Sequence, residues 1–225
     1  MESNSAAEHL QVIRTLMERS ALYRRALAPI MTFAGVVGIS AAGLGVFLRV
    51  EAETTFISYW VLVAIIGVAG AFLLVRRQAL KSAETFWSPP TRRVAQALLP
   101  ALTAGFLLAV WQFVMSWQQT HLYGSMSDSD DASQLCWLPG VWAIFYGCAL
   151  HAAGFFTSRG LRLFGWMLIV AGNVVLFLTL IASINNDASS LSWENSHWLM
   201  GFLFGLLQLA YGIYLYFTEK RRNES

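Results

Sequence analysis

His151 is the one histidine inside a predicted membrane span, and Cys148 lies three residues earlier. That spacing puts the imidazole and the thiol on one face of a helix, where they could hold a haem, bind a metal or relay a proton. A haem held by two histidines needs a second imidazole at similar depth, and His197 falls at the opposite edge of its own span. We therefore expect His151 to be a neutral imidazole, hydrogen-bonded within a helix bundle.

A second pattern of reactive type is Gly38-Ile39-Ser40-Ala41, which loosely imitates the turn that carries a serine nucleophile. Such a serine needs a general base within about 2.6 to 3.2 Å of its hydroxyl. Ser40 falls near the middle of its span, whereas His151 lies several residues closer to the inner membrane face. The pattern therefore favours a packing role for Ser40, and we predict no catalytic residue; an intramembrane enzyme is the third hypothesis for function.

Amide side chains supply the remaining polar chemistry of the predicted spans. Asn173 and Gln208 both fall near mid-membrane, where they could pair across helices with a stabilisation of about 0.6 to 2 kcal/mol. Gln112 lies nearer the outer side. The alternative is a polar substrate path, although a transport site would need more polar lining than these amides supply. With His151, they are the candidate intramembrane polar contacts.

Asp128, Asp130 and Asp131 resemble the start of a calcium-binding loop. A loop of that type needs a glycine at its sixth position, and this sequence has Ala132 and Ser133 in that region. The pattern is typical of a solvated loop, so we predict neither a metal nor a cofactor.

Composition indicates which elements must position these groups. The chain is 56% hydrophobic and 12% charged, about half of the roughly 25% charge of an average soluble domain. Apolar runs of roughly 20 residues take up most of it, and each can cross a ~30 Å hydrocarbon layer as a helix. We predict a membrane protein whose partner is the lipid bilayer. The basic residues follow the membrane topology, so no nucleic-acid partner is predicted.

The segment at residues 76–93, RRQALKSAETFWSPPTRR, separates two apolar runs and carries five cations against one acid. Such a loop stays on the cytoplasmic side of a membrane. Six spans with both termini inside place 14 of the 15 Lys and Arg residues on the inner side and leave only Arg49 outside. The sequence therefore predicts an all-α polytopic membrane protein, built from six transmembrane helices in antiparallel hairpins.

The predicted spans are 28–48, 56–75, 94–116, 138–157, 163–184 and 198–217, and they form one membrane bundle at 28–217, followed by a basic cytoplasmic tail at 218–225. None of these spans contains Asp, Glu, Lys or Arg. Carriers coupled to ions or protons usually need an intramembrane charge, so this class is disfavoured.

Residues 1–27 are predicted to form a cytoplasmic amphipathic helix, since Leu10, Ile13, Met17 and Ala21 recur at helical spacing. This helix would lie on the inner lipid surface or dock under the bundle.

The same segment, EHLQVIRTLMERSALYRRALAP, resembles the amphipathic leader of a group of uncharacterised bacterial multipass membrane proteins. The likeness covers about the first 30 residues and is carried by His9, Leu10, Ile13, Arg14, Leu16, Met17, Glu18, Tyr23 and Arg24. It implies location in the bacterial cytoplasmic (inner) membrane. The group supplies no activity and no functional residues.

Small residues mark two predicted packing faces. Gly38, Ala42 and Gly45 form part of a stripe on the first span, and Gly201 and Gly205 make a GxxxG pair on the last. Small side chains let membrane helices approach closely, so both faces should be buried against neighbours.

Our leading hypothesis for function is a non-catalytic membrane subunit, scaffold or signalling partner. It would act through helix contacts and its basic cytoplasmic face, with a protein partner there or a second copy of the chain. The alternative is a small permease or lipid-handling protein that uses Asn173, Gln208 and Gln112.

Overall fold

The computed structural model describes residues 27–81, 89–123, 135–185 and 192–224, and every regular element within them is helical. The helices are α1 (Leu27–Phe47), α2 (Glu53–Lys81), α3 (Pro89–Tyr123), α4 (Leu138–Gly154) and α5 (Arg159–Ile184). The last helix, α6, is continuous and consists of an α-helical segment at Trp193–Met200, a π-helical turn at Gly201–Leu206 and a second α-helical segment at Leu207–Glu224. The predicted all-α fold is confirmed.

Five of the helices are long and apolar enough to cross a membrane, namely α1, α2, α3, α5 and α6. The apolar helix α4 has 17 residues, or about 25 Å at ~1.5 Å of rise per residue. Helices of this length and composition are those of a multi-pass membrane protein.

Helix α2 extends past both ends of the predicted span at 56–75, because helical hydrogen bonding continues where the apolar run stops. Glu53 falls between the predicted spans 28–48 and 56–75, but it lies in the first turn of α2. Arg76 and Arg77 lie in the same helix at its other end. The expectation of charge-free spans therefore holds for the predicted intervals and not for the whole helix.

Two predicted features fall outside the described residues. The amphipathic helix at 1–27 is one of them, except for its last residue, Leu27, which begins α1. The acidic segment with Asp128, Asp130 and Asp131 is the other. Both stay predictions.

Helices α1 and α6 are antiparallel and touch through their backbones. A Cβ built on Gly38 would lie 2.5 Å from the carbonyl oxygen of Phe204, and one on Gly205 would lie 2.7 Å from the backbone of α1. A Cβ on Gly201 would lie 2.6 Å from that of Ala42. Real Cβ atoms do not approach neighbours so closely, so only glycine fits. The small residues predicted on two separate helices thus form one contact, the α1–α6 seam.

A second glycine contact joins α4 to α5. Gly140, Gly147 and Gly154 recur every seven residues on α4, and Gly165 and Gly172 have the same spacing on α5. A Cβ on Gly147 would lie 2.7 Å from the carbonyl oxygen of Gly165, and one on Gly140 would lie 2.8 Å from that of Gly172. These antiparallel helices therefore pack as closely as α1 and α6.

Helices α2 and α3 lie at the periphery of the bundle. The buried share of the apolar window is 33% for α1 and α6, but 11% for α2 and 6% for α3. A Cβ on Gly70 of α2 would overlap the ring of Phe33 on α1. Helix α3 packs mainly along α4. Most apolar side chains of α2 and α3 consequently face outward.

Charged side chains are sorted between the two ends of the bundle. One end, here the arginine end, carries Arg76, Arg77, Arg92, Arg93, Arg159 and Arg162. The other, here the His197 end, gathers the α1–α2 turn, the start of α4 and the start of α6. Its described charged residues are Arg49, Glu51, Glu53 and Glu194.

Helix α1 ends in a Schellman motif, which forms the start of the α1–α2 turn. The backbone N–H of Arg49 donates to the carbonyl of Val46, and that of Val50 donates to the carbonyl of Gly45, both at 3.1 Å. Arg49 has a φ of 52°, the left-handed conformation that such turns require and that glycine adopts without strain.

Replacing Arg49 by glycine should therefore stabilise the protein, by about 0.5 to 1 kcal/mol, because it relieves the left-handed strain at one residue. The measurement is unfolding in mild detergent. Arg49→Ala is the matched control, since it removes the same charge and keeps the strained Cβ. An equal gain in both variants would mean that charge, not backbone conformation, limits stability here.

The α1–α6 seam predicts a contrast between two glycines on one helix. Gly38→Ala should destabilise the protein by about 1 to 3 kcal/mol, because the new methyl group forces α6 away. Gly43→Ala should be neutral or stabilising by up to about 1 kcal/mol, since nothing lies within 4 Å of its added Cβ. Unfolding curves of both variants provide the comparison. Equal losses would contradict the seam.

Candidate functional site

The centre of the candidate site is the imidazole of His197, which is 0% exposed near the start of α6. The indole N–H of Trp60 donates to its Nδ1 at 3.2 Å, and Nε2 lies 3.1 Å from the carbonyl oxygen of Val50. Nδ1 therefore accepts and Nε2–H donates, which is the neutral tautomer protonated on Nε2. Both nitrogens of this buried ring are hydrogen-bonded.

Aromatic rings and one glycine enclose the imidazole. The ring centroids of Phe56, Tyr59 and Trp193 lie 4.8, 5.9 and 6.1 Å from that of His197. On the α1 side, a Cβ on Gly45 would overlap the imidazole, so the ring rests directly on the helix backbone. This His197 clamp joins α1, the α1–α2 turn, α2 and α6.

Beside the clamp, Glu53 of α2 is paired with Gln112 of α3. Glu53 is only 4% exposed, and the Gln112 amide Nε2–H donates to its Oε1 at 2.6 Å. The carboxylate lies in the first turn of α2, where the helix dipole favours negative charge. A buried carboxylate is normally paired or hydrogen-bonded. Among the described residues, its partner is this neutral amide, which links α2 to α3.

An open groove of about 460 Å³ lies between α2 and α3 at the His197 end. The α2 wall presents Thr54, Thr55, Ser58 and Tyr59, and the α3 wall presents Phe113 and Trp117. Val50 and Leu62 complete the lining, and neither Glu53 nor Gln112 belongs to it. The groove is therefore mainly apolar, with hydroxyl-bearing side chains on one wall and aromatic rings on the other.

Cys136 fastens the start of α4 to its neighbours. Its sulfur accepts a hydrogen bond from the Ser196 hydroxyl at 3.3 Å, and Thr179 donates to its carbonyl oxygen at 3.4 Å. Burial raises the pKa of the Cys136 thiol, and the Ser196 hydrogen bond opposes this rise. Both Cys136 and Cys148 are free thiols. These contacts tie the residue just before α4 to Thr179 of α5 and Ser196 of α6.

The sequence-predicted His151 lies at the arginine end, far along α4 from the clamp. Its Nδ1 lies 3.4 Å from the carbonyl oxygen of Arg162, and its ring packs against Phe155 and Trp166 at 5.2 and 5.5 Å. The imidazole thus spans the α4–α5 turn. Ser40 is exposed on α1.

The three predicted amides occupy separate places. Asn173 is exposed, and its Nδ2–H donates to the carbonyl of Ile169 in its own helix at 2.8 Å. Gln208 is 3% exposed in α6, and its Oε1 has no hydrogen-bond partner among the described residues. Gln112 contacts Glu53. The structure therefore does not bring Asn173 and Gln208 together.

The predicted packing residues do come together. Gly38, Ala42, Gly45, Gly201 and Gly205 all lie in or beside the α1–α6 contact, where Gly45 meets the imidazole of His197. This arrangement places the small-residue faces of the first and last helices inside the molecule.

Sequence reasoning did not identify Glu53 and Trp60 as site residues, although a signal was present. Glu53, Phe56, Ile57 and Trp60 are all buried and fall at positions i, i+3, i+4 and i+7. That is one face of a helix. The helical period thus begins at Glu53, three residues before the apolar run that defined the predicted span.

Comparison with protein-family models, with curated proteins and with solved structures finds no match.

Replacing His197 by phenylalanine should destabilise the protein by about 1 to 3 kcal/mol, because the indole N–H of Trp60 and the carbonyl of Val50 lose their partner in a buried place. His121→Phe is the matched control, since His121 is exposed at the end of α3. It should change the unfolding free energy by less than about 0.5 kcal/mol. Equal effects would mean that the clamp does not stabilise the bundle.

Proposed function

We propose that this chain is a six-span protein of the bacterial cytoplasmic (inner) membrane, with both termini in the cytoplasm. Helix α4 acts as the fourth crossing, because a bilayer thins locally around an apolar helix of about 25 Å. The six arginines at the arginine end support a cytoplasmic location for that end. The resemblance of the segment before α1 to bacterial membrane proteins supports the choice of membrane.

We propose that the protein is a non-catalytic membrane subunit, scaffold or signalling partner that acts by contact with another protein. The observation that carries this proposal is the low burial of α2 and α3, at 11% and 6% of their apolar windows. The small residues of the α1–α6 and α4–α5 contacts are already used within the chain. The docking surface is therefore the α2–α3 face, defined by Ile65, Val68, Leu73, Leu107, Val110 and Val114, all of which are exposed.

Gly67 of α2 offers a second point of contact for another helix, on the side of α2 that also carries Trp60 and Gly70. Nothing in the described chain lies within 4 Å of a Cβ built on Gly67. At Gly38, Gly147 and Gly205, by contrast, a neighbouring helix occupies the space where a Cβ would lie. Helix association in lipid depends on van der Waals contact at small residues. The open space at Gly67 can admit a helix from a partner or from a second copy.

Gly67→Leu should fold normally and weaken that association. A photo-crosslinking residue at the exposed Ala64, three residues before Gly67 on the same helix face, should give a discrete product with a partner or a second copy in native membranes, and this product should decrease at least about fivefold in Gly67→Leu. The matched control is Gly43→Leu, an equally open glycine on α1. A product that survives Gly67→Leu, or a chain that stays monomeric without a product, would contradict the proposal.

The alternative function is either a permease or a lipid-handling protein, and the structure supports these two possibilities unequally. A permease would use Gln112, Asn173 and Gln208 along one path, and these amides lie in three separate places. Lipid handling is favoured by a specific observation, the open and mainly apolar groove between α2 and α3 at the His197 end.

A further inference from the structure

A cation, an imidazole and two aromatic rings lie together at the arginine end, where α4 ends and α5 begins. His151 and Phe155 are four residues apart at the end of α4, and Arg162 and Trp166 are four residues apart in α5. The ring centroids of His151 and Trp166 are 5.5 Å apart, and Cζ of Arg162 lies 4.9 Å from the ring centroid of Phe155. The two pairs therefore pack against each other across the turn, and these four residues are the α4–α5 cluster.

Arg162 is held at three points. A Cβ built on Gly154 would overlap Cγ of Arg162, so the stem of this side chain rests on the backbone of α4. The guanidinium lies over the ring of Phe155, where a cation is attracted to the aromatic face. The backbone carbonyl oxygen of Arg162 lies 3.4 Å from Nδ1 of His151. A guanidinium fixed in this way loses little conformational entropy when it binds a ligand.

The N–H donors of the Arg162 guanidinium have no acceptor among the described residues. The acidic side chains that the structure describes are Glu51, Glu53 and Glu194, and all of them lie at the His197 end. Arg159 is exposed and lies one helical turn before Arg162, so a second guanidinium is close by. Arginine binds phosphate through paired, charge-assisted hydrogen bonds. The two arginines therefore suit a phosphate group.

An apolar surface continues from the arginines along α5. Leu163, Trp166, Val170 and Phe177 are all exposed, and their spacing of three, four and seven residues puts them on one side of the helix. A ligand that places a phosphate on Arg162 and hydrocarbon on this stripe is an amphiphile. The surface therefore fits a phospholipid better than a soluble anion or an acidic protein segment.

We propose that the α4–α5 cluster binds a phospholipid whose phosphate is the one charge of its head group, as in phosphatidylglycerol. The phosphate accepts hydrogen bonds from the guanidiniums of Arg159 and Arg162, and an acyl chain lies along Leu163 and Trp166. His151 is a positioning residue, since it contacts the carbonyl of Arg162. The proposal requires that α4 and α5 lie in a bilayer. It goes beyond protein docking at the α2–α3 face, which is a different surface.

Zwitterionic head groups fit this surface less well. A choline or ethanolamine group would bring a positive charge beside Arg159 and Arg162, and the described part of the chain has no carboxylate at this end to balance it. In phosphatidylglycerol the rest of the head group is neutral. The cluster should therefore prefer phosphatidylglycerol to phosphatidylcholine when the acyl chains are identical.

Native mass spectrometry of the full chain tests this preference. The detergent-purified protein is mixed with equal amounts of phosphatidylglycerol and phosphatidylcholine of the same acyl composition. We expect phosphatidylglycerol to be retained about tenfold more than phosphatidylcholine. Arg162→Gln keeps the Cγ atom that rests on Gly154 and should lower this preference about fivefold. The matched control is Arg92→Gln, which removes the same charge from an exposed residue of α3 at the same end and should change the preference less than about twofold.

Substitutions at Phe155 test the geometry without changing any charge. Phe155→Leu removes the ring beneath Arg162 and should lower the preference about threefold, whereas Phe155→Tyr keeps an aromatic face and should retain it. The matched control is Phe156→Leu, because Phe156 is also exposed and no described cation lies over its ring. These variants leave Arg162 in place, so they test the proposal even if Arg162→Gln does not fold.

Equal retention of both lipids by the unmodified chain would overturn the proposal. Equal losses in Arg162→Gln and Arg92→Gln would overturn it too, since they would show a response to total charge. The same holds for equal losses in Phe155→Leu and Phe156→Leu. Excess inorganic phosphate should leave the lipid bound, because phosphate has no acyl chain to pack on α5. Full displacement by phosphate would assign the cluster to a soluble anion and contradict the lipid assignment.

A protein partner at this surface would give a different result. A protein adduct that is lost in Arg162→Gln, with lipid retention unchanged, would assign the cluster to a protein contact and overturn the proposal. Docking at the α2–α3 face is tested separately by cross-linking at Ala64, so failure of one proposal is distinguishable from failure of the other.

Discussion

Backbone contact between α1 and α6 is the constraint on which the rest of the structure depends. Because Gly38 and Gly205 have no side chains, the backbones of the two helices touch, and this contact sets the positions of the neighbouring residues. Toward the His197 end, Gly45 leaves room for the imidazole, which then reaches Trp60 of α2 and Val50 of the turn. The position of α2, and with it the burial of Glu53, follows from this approach.

The chemistry of the bundle changes with position along the helices. In lipid there is no hydrophobic drive to bring helices together, so close van der Waals contact and interhelical hydrogen bonds must do so. The glycine contacts of α1 with α6 and of α4 with α5 supply the van der Waals contact along the helices. The Glu53–Gln112 and Trp60–His197 pairs supply the interhelical hydrogen bonds at one end. Burying a carboxylate costs least where its helix dipole and an amide both face it. The polar site accordingly lies at helix ends.

Much of the architecture could be predicted from the sequence, because apolar length and charge sorting are local properties. The all-helical fold and the long apolar helices were predicted from run length alone. Small residues on the first and last spans were recognised, but their mutual contact depends on which helices are neighbours, and spacing within one helix does not encode that. The seven-residue spacing of Gly140, Gly147 and Gly154 is visible in the sequence, but the helix that packs against these glycines is not encoded by that spacing.

The site itself was predicted less well, for two physical reasons. A hydropathy boundary marks where apolar residues stop, whereas a helix continues until its backbone is capped, so Glu53 falls outside the predicted span at 56–75 although it lies in α2. Depth was also a poor guide to partners: Asn173 and Gln208 have similar depth, yet one faces outward and the other inward. Facing direction is set by packing against neighbours. The π-helical turn at Gly201–Leu206 had no sequence signal that we could identify.

Oxidative cross-linking of cysteine pairs in native membranes tests the α1–α6 contact most directly, with the natural cysteines replaced. Ala42→Cys combined with Gly201→Cys places two Cβ atoms at 2.6 Å before relaxation, within about 1.2 Å of the ~3.8 Å typical of a disulfide. We predict rapid disulfide formation for this pair and none for Gly43→Cys with Gly201→Cys, since Gly43 faces open space. Equal cross-linking of both pairs, or of neither, would contradict the account.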